Sequence, residues 1–125
     1  MQYVVTARPI VAEMARFWSL LNDGTINAQK PDGSEIVASM KRAVVKGDKV
    51  SWCETCFCSP PLQHERSTVY DRFFTDMKIE PGVGPALEGD RFWDQLRAWN
   101  PGKNGGSRQV DGIANVAKYV PVRIL

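Results

Sequence analysis

Three cysteines and the only histidine of the chain fall in one run, Cys53-Glu54-Thr55-Cys56-Phe57-Cys58-Ser59-Pro60-Pro61-Leu62-Gln63-His64. Thiolate and imidazole are the ligand types of a tetrahedral zinc site, so Cys53, Cys56, Cys58 and His64 are the candidate metal ligands. Their spacing, C-x2-C-x-C-x5-H, makes one group and not the two separated pairs that usually build such a site. If residues 49–57 form a strand, Cys53 points away from Cys56 and Cys58, and the sulfurs converge only across a bend. Cys58 taken alone sits beside an expected helix start, where the dipole favours a thiolate and His64 follows about one turn later as a base. The plain alternative is that a free cysteine behaves as a small buried hydrophobe. The Cys53-x-x-Cys56 pair also has the spacing of a redox motif, but that chemistry belongs at a helix start, and this pair falls within a strand. No cofactor is therefore expected, with zinc the metal to look for should the cluster close.

Two further sets have the residue types of binding surfaces. Arg91, Phe92, Trp93, Arg97 and Trp99 mix aromatic and arginine side chains, the composition enriched where proteins meet. The Gly-rich run from Pro101 to Arg108 places Lys103 and Arg108 near each other, with Lys118 further on, as candidates for an anion or a nucleic-acid backbone. It matches neither the phosphate-loop nor the dinucleotide pattern, and a surface connection is its plain reading. His64-Glu65 lacks the second histidine of a zinc-binding His-Glu-x-x-His helix. Asp71, Arg72 and Asp76 have the spacing of a solvated helix face.

The run Arg91 to Leu96, with Pro101-Gly102-Lys103 and Val110-Asp111-Gly112-Ile113, resembles the tail of a phage terminase nuclease domain. That family ends in a helix, a glycine-containing loop and an acidic metal-binding pair, and the likeness covers about the last quarter to third of this chain. Only Asp111 stands where paired acids belong, and the N-terminal part has no first-strand aspartate. Two-metal hydrolysis cannot run without those ligands, so the resemblance assigns neither family nor activity.

The elements that must position these residues follow from periodicity. Gln2 to Thr6 reads as a strand. Pro9 opens a helix of about 9–22, whose apolar face carries Met14, Phe17, Trp18 and Leu21, with Gly24 at its end. Residues of about 25–57, alternating and broken by the turns Pro31-Asp32-Gly33-Ser34 and Lys46-Gly47-Asp48, predict a central β-meander. A helix of about 60–78 and another of about 90–100 follow, and 119–125 reads as a closing edge strand. The sum is an α+β fold: a three- to five-stranded, mostly antiparallel sheet with helices packed on one face.

At 125 residues, 43% hydrophobic and 24% charged, the chain fits a single globular domain spanning 1–125, with a core large enough to stand without staples. The odd, clustered cysteine count is no disulfide framework, and the N-terminus reads as lacking a signal peptide, so the expected location is the cytoplasm. No apolar run is long enough for a membrane span, and a net charge of +2 neither requires nor excludes nucleic acid. No set of residues completes a catalytic constellation. The expectation is therefore a small soluble accessory or inhibitor-like protein that binds another macromolecule, foremost a protein, with an enzyme less expected. The alternatives are a thiol- or zinc-dependent enzyme using the Cys53–His64 segment, and a weak nucleic-acid binder acting through the C-terminal loop.

Overall fold

The computed structural model describes residues 1–57, 59–82 and 87–99. Strand β1 (Gln2–Pro9) leads through a single 3-10 turn (Val11–Glu13) into helix α1 (Met14–Asn22). A series of turns then reaches α2 (Gly33–Arg42), and the hairpin β2 (Val44–Lys46) and β3 (Lys49–Thr55) follows. Residues 63–73 are helical throughout, as α3 (Gln63–Glu65), a π-helical turn (Arg66–Tyr70) and α4 (Asp71–Phe73). The chain continues into β4 (Phe74–Pro81), the two-residue β5 (Asp90–Arg91) and α5 (Phe92–Ala98).

The five strands form one antiparallel sheet in the order β4-β1-β3-β2-β5. Without β5 the strand order is 4-1-3-2, with α1 and α2 between β1 and β2 and the helical segment 63–73 between β3 and β4. Alternation along the central strands separates the two faces. Tyr3, Val5 and Ala7 of β1 and Val50, Trp52 and Glu54 of β3 are buried, while Val4, Thr6, Ser51 and Cys53 between them are only partly covered. Phe17, Met40, Tyr70 and Leu96, from four different helical segments, join the first group in one core, so the helices stack on one face. Trp52 sits at the middle, its ring 5.2 Å from Tyr70 and 5.3 Å from Phe74. Phe17 stacks on Phe73 with 4.5 Å between centroids.

Three expected elements differ from what forms. Residues 35–45 are not a strand of a meander, and Thr25–Lys30 is a set of turns; of the 25–57 meander only the β2–β3 hairpin remains. The alternation of Ile36, Ala38 and Met40 coexists with a helical period, and the helix buries Gly33, Ile36, Ser39 and Met40. Ala, Met, Glu, Lys and Arg supply good helix formers there, with Glu35 in the first turn and Lys41 and Arg42 in the last, as the dipole favours. The helix expected over 60–78 begins at Gln63 and stops at Phe73, because β4 instead pairs with an edge of β1 that would otherwise be open. Pro9 closes β1 and does not open α1. The closing strand expected at 119–125 lies outside the described residues.

Helix α2 also completes the sheet. β2 pairs with β3 only as far as Ser51, which leaves the end of β3 without a neighbour on that side. Glu35 Oε2 accepts the Thr55 backbone N–H at 3.1 Å, and Arg42 Nη2 donates to the Cys53 carbonyl at 2.7 Å. Glu35 and Arg42 are themselves paired at 3.2 Å. Two side chains thus fill the hydrogen-bonding role of a missing strand.

The entry to α2 is held by a close backbone approach at Gly33, where an added Cβ would overlap the Ile26 carbonyl oxygen. Gly33→Ala is expected to destabilise the fold by about 1–3 kcal/mol, the usual cost of forcing extra volume into a packed site. Urea denaturation of the two proteins measures it, and an unchanged midpoint would show that the α2 entry is not packed this tightly.

Candidate functional site

The inward face of β3 runs Val50, Trp52, Glu54, so its register places a carboxylate where the two preceding positions carry core side chains. Glu54 is 1% exposed. Its Oε1 accepts the Trp52 indole N–H at 2.8 Å and the Tyr70 hydroxyl at 2.7 Å. A second buried carboxylate, Glu65, arrives from α3. The π-helical turn decides how this comes about. In an α-helix, residues five apart point about 140° away from each other. The wider turn, closed by the Asp71 N–H on the Arg66 carbonyl, brings Glu65 and Tyr70 round to the same group. Such turns recur at functional sites.

Burial strips Glu54 of water and pushes its carboxyl up to about 8, against the pull of the Tyr70 and Trp52 donors. The neighbouring Glu65 adds to the upward shift. Oε2 of Glu54 is buried without a well-formed hydrogen bond. A proton on one carboxyl turns the repulsion between the two into an attraction, so the neutral form of Glu54 is the one that suits this site at pH 7. Tyr70 is raised well above its ordinary range by burial and by the adjacent Glu54.

Cys56 links this network to a groove. Its Sγ accepts the Leu62 backbone N–H at 3.3 Å and lies 3.6 Å from Glu65 Oε1, to which the thiol donates. Cys56 and Glu65 line a groove of about 450 Å³ between the end of β3 and the start of α2, together with Asp32, Glu35, Thr55 and Phe57. His64 Nδ1 meets Asp32 Oδ2 at 2.7 Å, which ties α3 to the residue preceding α2. Phe57 stands at the groove with 89% of its surface exposed.

The structure separates the candidates raised from sequence. Cys53 lies on the half-covered face of β3 and Cys56 turns inward, as strand alternation requires; Cys58 lies outside the described residues. His64 is bonded to a carboxylate, and among the described residues no group of three or more histidine, cysteine and acidic side chains could hold a metal ion. Phe92 and Trp93 are core residues at 0% and 8% exposure, and Trp93 packs on Trp18 at 5.0 Å. Arg97 pairs with Asp94 at 3.4 Å and lies over the Trp18 ring, while Trp99 is partly buried and Arg91 is exposed. Lys103, Arg108 and Lys118, and the terminase-like stretch after Trp99, lie outside the described residues. Asp32, Glu35, Glu54 and Tyr70 were not singled out by type or spacing, and Glu65 only beside His64 as an incomplete zinc-helix pattern. For Glu54 a signal existed, its place in the inward register of a strand; for Glu65 and Tyr70 only the π turn reveals the pairing.

Linkage fixes how this network responds to pH. Glu54 titrates near 8 in the fold and near 4.5 when exposed, so between those values the folded state keeps a proton that the unfolded chain has released. Its contribution to stability is full below pH 4.5 and is lost as pH rises towards 8. The urea midpoint is expected to fall between about pH 5 and 8, and Glu54→Gln, similar in shape and uncharged, to flatten that fall. An equally steep profile in the variant would place the titrating group elsewhere.

No protein-family model, curated protein or solved structure matches this chain, so its function is read from the chemistry of this site.

Proposed function

We propose that this protein is a small binding module whose Phe57 groove receives a segment of another protein. The single observation that carries this reading is Phe57 itself. Among the described residues it and Met1 are the exposed large hydrophobics, and Phe57 stands at the mouth of a groove of about 450 Å³. An aromatic ring left in water beside a concave surface is the usual composition of an interface anchor. The groove adds carboxylates from Asp32, Glu35 and Glu65, and among the described residues its lining has no lysine or arginine. That composition suits a partner presenting hydrogen-bond donors or a cationic side chain.

A second reading, an acid–base enzyme, is favoured by the Glu54 carboxyl held at about 8 behind the same groove. Environments that move neighbouring carboxyls apart are how proteins prepare an acid and a base near neutral pH. Turnover abolished by Glu65→Gln and retained in Phe57→Ala would favour this reading over the first.

The binding reading is tested by placing a photoreactive benzoylphenylalanine at position 57 and, as a control, at the exposed Arg16 of α1. A discrete adduct is expected from position 57 alone, suppressed by excess wild-type protein and not by excess Phe57→Ala. The same adducts from both positions, or suppression by both competitors alike, would remove Phe57 as the anchor.

A further inference from the structure

The sheet face turned away from the helices gathers positive charge at one end. Lys46 and Lys49 are register partners across the β2–β3 hairpin, two like charges placed directly opposite. In an antiparallel pair that arrangement is destabilising. The β1–β3 register runs as far as Ala7 opposite Val50, so the next position sets Arg8 alongside Lys49 on the same face. On the other side of β1, Lys78 stands opposite Thr6.

The carboxylates nearby do not neutralise this group. Arg8 takes two of them, its Nε meeting Asp48 at 3.4 Å and its Nη1 meeting Asp76 at 3.5 Å. Lys46 reaches Glu88, at 4.0 Å. Lys49 and Lys78 have no carboxylate partner among the described residues. Asp76 adopts a left-handed φ of 53°, a conformation that a residue with a side chain enters at a cost. It does so where the β1–β4 register shifts between Thr6 and Arg8, and bulges of this kind re-aim side chains beside functional sites. Here Asp76 and Asp48 hold the guanidinium through two different nitrogens.

A pocket of about 310 Å³ opens between these groups, lined by Thr6, Arg8, Lys49, Asp76 and Lys78. The Thr6 and Ser51 hydroxyls lie 3.3 Å apart on this face and add donors to it. We propose that this pocket binds the phosphoryl group of a small phosphorylated ligand, with Lys49 and Lys78 supplying charge and Arg8 and Thr6 supplying oriented donors. An anion seated there relieves the repulsion that the strand register imposes. The size lies at the low end of small-ligand pockets. A single-stranded nucleic acid fits less well. Tyr3 and Trp52 of the central strands are turned into the core, so the described residues at this end of the face offer bases no ring to stack on. Among the described residues the pocket shares none with the Phe57 groove, and either assignment stands without the other.

The test follows backbone amide shifts while the full chain is titrated first with inorganic pyrophosphate and then with a single-stranded oligonucleotide. Pyrophosphate is expected to give saturable shifts at Thr6, Arg8, Lys49 and Lys78. The double substitution Lys49→Ala and Lys78→Ala is expected to weaken binding by at least about tenfold, and Arg16→Ala on α1 to leave it unchanged. Both lysines are exposed, so an unaltered spectrum away from the pocket certifies that the double variant is folded. Absence of saturable shifts, or shifts that survive the double substitution, overturns the proposal. Binding of the oligonucleotide without binding of pyrophosphate overturns it too, because the face would then read a polymer backbone and not a small ligand.

Discussion

An indole N–H at the centre of an apolar core must find an acceptor, and the partner chosen for Trp52 shapes much of what surrounds it. Leaving that donor unpaired would cost on the order of 1–3 kcal/mol. Glu54, two residues along the same strand face, supplies the acceptor and in doing so brings a carboxyl where water does not reach. That carboxyl needs donors of its own, which explains why Tyr70 approaches from the helical segment opposite. Tyr70 and Glu65 can both arrive only because the helix widens into a π turn between them. One buried hydrogen bond therefore propagates into the width of a helix turn and the protonation of a glutamate. A wholly apolar core would have avoided each of these costs.

The two faces of the sheet solve different problems. On the helix side, aromatic rings from β3, β4 and the helices interlock around Trp52, and buried carboxylates enter as the connected Glu54 network. On the other side the partly covered residues are small, with Thr6 and Ser51 joined by their hydroxyls, and charge gathers where the strands end. The described helices include none long and apolar enough to cross a membrane. Both candidate sites sit where regular pairing stops: the groove where β3 outruns β2, and the cationic pocket where a bulge breaks the β1–β4 ladder. Strand ends and bulges are where a sheet can present side chains without sacrificing its own hydrogen bonds.

The sequence made the α+β class, the first helix, the β2–β3 hairpin and the last described helix legible, because each has a clean period and a turn signal at its ends. Gly24 is a fair example, a left-handed residue with φ of 91° where the α1 pattern ends. Residues 33–42 misled because a short apolar series such as Ile36, Ala38 and Met40 satisfies both periods, and only the burial of Gly33 and Ser39 separates them. β4 was illegible for a different reason: its strand state depends on the distant β1 edge and not on its own composition. The site was harder still. Cys56 and His64 drew notice by type, yet the sulfur serves Glu65 and the imidazole serves Asp32, each a partner that no spacing rule connects.

The pairing of Glu35 and Arg42 with the end of β3 also bears on how the molecule behaves among its neighbours. An unpaired strand edge is a template on which another chain can add itself. Here the Thr55 N–H and the Cys53 carbonyl, the groups such a chain would seek, are already taken by two side chains from α2. These are charged, and an incoming strand would have to displace both and leave them without their partners. The edge is thus closed sterically and electrostatically without adding a strand. Protection of this margin of the sheet rests on one ion pair, and loss of either member would leave the end of β3 open to an added strand.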